Sequence, residues 1–557
     1  MKKALLLFVV VFSFATGGAY AQVHDPRAID ADPATATAPI APVLEGLGTQ
    51  SMTVTTTNER SQYFFNQGLR LTLGFNHSEA LRSFKEAVRL DPHNAMAYWG
   101  WALVLGPNLN LPMQPTVVAD AYRAVRAAVA LKDKVSAREQ AFIDALAVRY
   151  TDDPEAPRAP LDYAYAEAMA AVAEQYPDDA HAWTLYAAAL MNTNPWDYWY
   201  RDSSPKPATV TLLAALDRAL ELDPDHAGAH HYRIHAVEAF RPELGIESAD
   251  KLAALMPGSG HLVHMPSHIY MRVGRYADSY ATNVKAIAAD EGYITQCRAQ
   301  GMYPLVYYPH NVHFLSWSAM FQGRSEEAIT AARKVATSVG VISRDNIWGL
   351  YESFGSQPLY VLARFGKWEE ILAEGVPGEG SIFMNGVWHY ARGLAYLHTG
   401  RRDAAQDELA RLTALREHVA ADPGYRVGFG AAGTLLRVAE EILHGDIVAK
   451  QGDFHTALAH IERAVRLEDS LLYNEPPDWY FPVRHVLGAM LLDAGRPAEA
   501  EAVYWNELKR YPHNGFSLFG LEQALTAQGK DELARVIHAR FEEAWSEADV
   551  KLTSSRF

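Results

Sequence analysis

The sequence predicts an all-α protein built as a stack of antiparallel helix pairs, and three observations carry that expectation. Between Phe64 and Pro92, small residues stand where two helices must approach closely (Gly68, Ala80, Ala87). A large one stands where they leave space (Phe84), and a proline stops the second helix (Pro92). A glycine turn leading into a second helix then recurs, at Gly274, Gly323, Gly366, Gly400, Gly452, Gly495 and Gly529. Gly366 to Gly400 and Gly495 to Gly529 are each 34 residues apart, whereas Gly274 to Gly323 (49 residues) and Gly400 to Gly452 (52 residues) carry insertions. Finally, the 557-residue chain is 49% hydrophobic with one cysteine, Cys297, so no intrachain disulfide is possible and stability must come from packing.

Taken in order, residues 1–21 read as a secretory signal. Lys2-Lys3 precedes an apolar run from Ala4 to Phe14, and Ala19-Tyr20-Ala21 offers a cut before Gln22. The run is too short for a mature membrane span, and no later stretch offers about 18 uncharged apolar residues. A periplasmic or secreted bacterial protein without a membrane span is therefore expected. Residues 22–57 are rich in Ala, Pro and Thr without helical periodicity, and read as a flexible lead-in. Residues 58–550 read as one repeat domain, within which Lys132 to Pro160 is helical but fits the period poorly.

The small-and-large pattern and the 34-residue period resemble the tetratricopeptide repeat, in which helix pairs stack into a superhelical solenoid. The resemblance implies fold and no single function, since this scaffold hosts many roles, most of them protein binding. Three insertions interrupt it: Gly106–Pro112, Asn192–Tyr200 and Tyr473–Phe481. Their prolines stiffen them and their aromatics would pack them, so they either cover a cleft or fill gaps between irregular repeats.

Histidine is concentrated between His230 and His313. His231 and His235 are four residues apart, as are His264 and His268, and His310 and His313 are three apart; each pair falls on one helical face. With the turn glycine of each unit as position 15 and its terminal proline as position 32, both four-spaced pairs occupy positions 5 and 9, and His310 and His313 occupy positions 2 and 5. The resemblance implies that positions 2, 5, 9 and 12 of the first helix line the concave groove, with Glu238 at position 12. Six imidazoles and one carboxylate then face one trough, within reach of one or two shared metal ions. Pro266 favours a helix start at that point and weakens the spacing argument for His264.

A thiolate-free, imidazole-rich set suits copper or zinc. Three imidazoles on each of two ions would suit dioxygen chemistry at copper, whereas one ion would leave the other rings as supporting contacts. An oxidoreductase acting on a small-molecule substrate is the first functional expectation. The alternatives are a scaffold holding an extended peptide of an envelope partner, and metal storage or delivery. His77, His230 and His485 are additional ligand candidates; Glu238, Glu475 and Tyr270 are candidates for acid, base or substrate contacts. His389 and Cys297 read as core. A net charge of −16 argues against nucleic acid as a partner. Gly-x-Ser-x-Gly, a Walker loop, His-Glu-x-x-His and a Gly-rich dinucleotide turn are all missing from the sequence.

Overall fold

The computed structural model describes residues 24–338, 349–378 and 380–557. The expected signal at 1–21 lies outside these residues, and the lead-in expected over 22–57 lies inside them from residue 24. From Glu59 to Ala544 the chain runs through successive helix hairpins, beginning with Glu59–Leu73 paired to His77–Leu90 and Ala95–Leu105 paired to Val118–Leu131. The segment that fitted the repeat poorly supplies a hairpin of its own. Helix Ala137–Ala147, started by the reciprocal Ser136 and Glu139 capping box, packs on Arg158–Gln175. The only ladder among the described residues is the short hairpin of Arg426–Val427 and Gly430–Ala431.

The close-packing device read from the sequence recurs along the stack. The Phe84 ring fills the space left by Gly68 on one side and Gly100 on the other, and the Tyr504 ring is held the same way between Gly488 and Gly520. The turn glycines at 274, 323, 366, 400, 452, 495 and 529 all have positive φ. That left-handed geometry ends each first helix without the steric cost a side chain would add.

Two features tighten the solenoid around its own interior. The first corrects an expectation: residues 38–57 are a packed strap and not a flexible lead-in. Ile40, Ala41, Leu44, Leu47, Met52 and Val54 are buried. The strap's backbone N–H groups at Ile40, Leu44 and Met52 donate to Glu86, Gln67 and Asn66 of the first hairpin. An Ala/Pro/Thr-rich stretch looks disordered because it has no period, but scattered apolar residues that bury and side-chain acceptors on a neighbouring helix can order it. The second feature is closure. The Tyr276 hydroxyl donates to the Pro512 carbonyl at 2.7 Å, and Asp549 accepts from the backbone of Ser325 at 2.9 Å, so the last repeats dock on the middle of the chain. The buried apolar residues form two large clusters, one reaching from Ala28 to Tyr307 and one from Met271 to Leu552. The histidine segment lies at their seam. No described helix is long and apolar enough to cross a membrane.

Candidate functional site

Helix Ala227–Val237 presents His231 and His235 from consecutive turns. The next unit begins with Gly260–His264 and continues as Pro266–Val273. Met265 between them keeps right-handed helical torsions, so Pro266 starts a new helix without breaking the register. His261, His264 and His268 thereby share one face, and the spacing argument that Pro266 had weakened holds. His310 comes from Tyr308–Phe321, which follows a wide turn at Tyr303–Tyr307.

The rings gather as two triads. In each of the sets His231, His235, His261 and His264, His268, His310, one nitrogen per ring lies within 4.8 Å of the others. The triads abut, with His235 and His268 ring centres 6.1 Å apart and those of His261 and His264 6.2 Å apart. His231, His235, His261, His264 and His268 are all at most 5% exposed.

What fixes these rings also decides their protons. His231 Nδ1 donates to the Leu73 carbonyl at 2.7 Å, and His235 Nδ1 donates to Glu238 Oε1 at 3.1 Å. Asn283 gives its amide N–H to the Ser279 carbonyl at 2.8 Å, so its oxygen is left to accept from His264 Nδ1 at 2.7 Å. His268 Nδ1 faces Glu238 and Glu475, each at 3.0 Å. With the Nδ1 protons committed outward, bare Nε2 lone pairs turn inward. His264 and His268 Nε2 are 3.0 Å apart, His310 and His268 Nε2 3.4 Å, and His231 and His261 Nε2 3.2 Å. His235 Nε2 and His261 Nδ1 are buried with no hydrogen-bond partner among the described residues. Clustered, buried nitrogen lone pairs are costly unless a proton or cation lies among them.

Burial, reinforced by the neighbouring imidazoles, holds His231, His261, His264 and His310 well below the usual histidine range and therefore neutral. His268 is the exception. Burial opposes its charge too, but the Glu238 and Glu475 carboxylates outweigh burial and push it up to about 10. Its proton converts one lone-pair contact into a hydrogen bond. A cation among three inward nitrogens would answer all of them, so the donor set fits a transition ion at each triad.

Each triad is backed by one phenylalanine. Phe75, held at φ 56° in the turn of the first hairpin, lies 4.5 Å from His231 and 5.6 Å from His261. Phe314 lies 4.6 Å from His264 and 4.5 Å from His268. All three insertions reach this place and cover it. Asn110 of the first hydrogen-bonds Tyr307, whose ring lies 4.8 Å from His261. Trp196 of the second stands edge-on to His235 at 5.4 Å and is 37% exposed. The third contributes Glu475 to His268, with Tyr473 6.5 Å from Trp196.

Several candidates fall elsewhere. His313 packs edge-on to Phe354 at 6.0 Å and hydrogen-bonds Gln357; it lies one turn along the helix from His310 and joins neither triad. His230 spends both ring nitrogens on Ser248 and the Pro224 carbonyl, and joins neither triad. His77 is buried beside Asn108 at 3.5 Å. His485 sits between Arg364 at 3.0 Å and Ser517 at 2.8 Å, several hairpins away. Tyr270 donates to Asp250 and stacks under Arg275 on the outer face. Glu238 and Glu475 do reach the site, where with His268 they form a third cluster of ligand-type atoms within 4.8 Å. Cys297 is buried and pushed up to about 12, by burial and then by Glu79. His261 is the residue the sequence reading left out. Its signal was present, since it lies three residues before His264 and occupies groove position 2.

Residues 387–411 and 482–504 match the family model for the tetratricopeptide repeat. In the structure both fall on helix hairpins of the stack, Ile382–His398 with Arg402–Ala420 and Val483–Asp493 with Pro497–Arg510. Both hairpins are tetratricopeptide repeats. Among solved structures, this repeat protein is similar in fold to a human IFIT1 dimer with m7Gppp-AAAA (13% identity over 88% of this chain and 91% of that one, TM-score 0.31). Yeast Tom70 (12% identity, 87% and 93%, TM-score 0.28) and Ypp1 (8% identity, 83% and 65%, TM-score 0.42) are similar in the same sense. Identities and TM-scores this low carry no functional information. No curated protein matches the sequence.

Proposed function

We propose that this tetratricopeptide-repeat protein is an exported metalloprotein that holds two transition ions side by side, one per histidine triad, and uses them for oxidation or reduction of a small-molecule substrate. The carrying observation is the orientation of the rings. Nδ1 atoms are tied outward to Leu73, Glu238, Asn283 and Glu475, so the inward Nε2 atoms face one another, and that of His235 has no partner at all. That is how metal-ligating histidines are oriented by their surroundings.

Copper is the favoured ion, because all-imidazole sets of three without thiolate suit it. A copper pair would supply two adjacent one-electron centres. The protein's own part is distinct. Phe75 and Phe314 exclude water from the two triads, Glu238 joins them by bonding His235 and His268, and Glu475 holds His268 from across the closed superhelix. Trp196 is the aromatic edge at which a substrate would arrive. The burial of the triads argues against the peptide-scaffold reading, since an extended peptide in the groove would not touch them. Export rests on the leader at 1–21.

The test is elemental analysis after reconstitution with Cu(II) or Zn(II), on the unaltered protein and on His235→Ala and His268→Ala. About two ions per chain are expected, with about one lost in each variant, and with copper a paired, paramagnetically silent signal that turns visible in the variants. A metal content near zero, or one unaffected by both substitutions, sinks the proposal.

A further inference from the structure

Away from the histidine seam, the Leu350–Arg364 helix carries a guanidinium in an unusual setting. Arg364 is 5% exposed and is sandwiched between the rings of Phe516, 3.4 Å away, and Phe481, 5.1 Å away. Its one hydrogen bond among the described residues goes to His485 Nδ1 at 3.0 Å, which is a neutral acceptor because His485 donates Nε2–H to Ser517. No described carboxylate lies within 4.0 Å of it. Buried cations are almost always paired, since an uncompensated one costs several kcal/mol.

Arg364 lines a cavity of about 30 Å³ together with Tyr390, Tyr480, Arg556 and Asp446. The Asp446 carboxylate in that wall is already bonded to Arg556 and does not pair with Arg364. His398, also on the wall, adds no charge at neutral pH, since burial takes it down to about 4. Tyr390 donates to Tyr480, which leaves the Tyr480 hydroxyl and the guanidinium N–H groups of Arg364 as donors in want of an acceptor.

We infer that this cavity is a binding site for a small monovalent anion, held by the Arg364 fork with the Tyr480 hydroxyl. Its size admits a guest about as large as water, which suits chloride or formate and excludes sulfate. Phe481 and Tyr480 end the insertion that carries Glu475, so an anion here would anchor that loop at its far end. The site does not depend on metal at the histidine triads.

Thermal unfolding at fixed ionic strength tests it, with sodium gluconate and sulfate as references and sodium chloride, bromide or formate as additions. The small anions should raise the unfolding midpoint in proportion to the logarithm of their concentration, as a ligand of the folded state does, and gluconate and sulfate should not. The stronger of chloride and formate identifies the natural class of guest. Arg364→Met should abolish the response, and Arg364→Lys, which keeps the charge without the planar fork, should weaken apparent affinity by about tenfold or more. An equal response in Arg364→Met and the unaltered protein, or an equal effect of gluconate, overturns the inference. Should Arg364→Met fail to fold, bromide in crystals of the unaltered protein decides. An anomalous peak within hydrogen-bond distance of Arg364 supports the site, and its absence at saturating bromide overturns it.

Discussion

An imidazole becomes a ligand when its second nitrogen is committed elsewhere, and His231, His235, His264 and His268 each have Nδ1 committed in this way. His230 and His231 are neighbours in sequence. His231 spends Nδ1 on the Leu73 carbonyl and turns Nε2 inward, whereas His230 spends both nitrogens, on Ser248 and on the Pro224 carbonyl. Asn283 does the orienting for His264 without belonging to the triad. Replacing it with leucine removes the acceptor for Nδ1–H and frees the ring to rotate or change tautomer. Asn283→Leu should lower affinity at the His264 triad by about 10- to 100-fold and leave the His231 triad unchanged, as read by titration with copper. Equal loss at both triads would mean a general packing defect instead. None of this was legible in the sequence, where Asn283 carries no spacing signal. His261 was legible, since its three-residue spacing to His264 puts it on the same helical face at position 2.

At the scale of elements, the repeat works by letting one aromatic ring serve two hairpins. Tyr504 lies against Gly488 in its own hairpin and Gly520 in the next, as Phe84 lies against Gly68 and Gly100. A methyl group at Gly520 would overlap the Tyr504 ring, whose hydroxyl is also tied to Ser555 at 2.7 Å. Gly520→Ala should therefore cost about 1–3 kcal/mol, seen as a lower urea midpoint with an unchanged slope. A neutral result would show that the last hairpins slide apart freely. The sequence announced these hairpins because close helix contact requires small residues at fixed intervals. It was silent on the strap at 38–57, whose order comes from acceptors on the first hairpin and not from any period of its own.

At the scale of the whole molecule, burial sets the pH range of stability from both sides. Burial keeps His226 and His398 neutral, down to about 3 and about 4, so the folded state binds fewer protons than the unfolded chain there and stability is lost as pH falls below about 6.5. Glu468 acts in the opposite sense. Burial raises it from 4.5 to about 8, the folded state keeps a proton that the unfolded chain releases, and stability is lost as pH rises from about 4.5 to about 8. Glu468→Gln removes that loss. Its unfolding free energy should pull ahead of the unaltered protein's as pH rises through this window and then run parallel above it, by urea denaturation at a series of pH values. A constant difference at every pH would show that Glu468 does not titrate in the fold.

The sequence by itself determined the helical stack, the turn glycines that punctuate it and the segment in which histidine gathers, because helical periodicity and close approach are local requirements written in residue size and spacing. Which rings meet was decided only in three dimensions. The path of the superhelix brings His261 and His310 to the triads and leaves His313 beside Phe354, and its closure carries Glu475 to His268 across 207 residues of chain. Such pairings depend on the summed rotation of many hairpins, and no short window of sequence contains that sum.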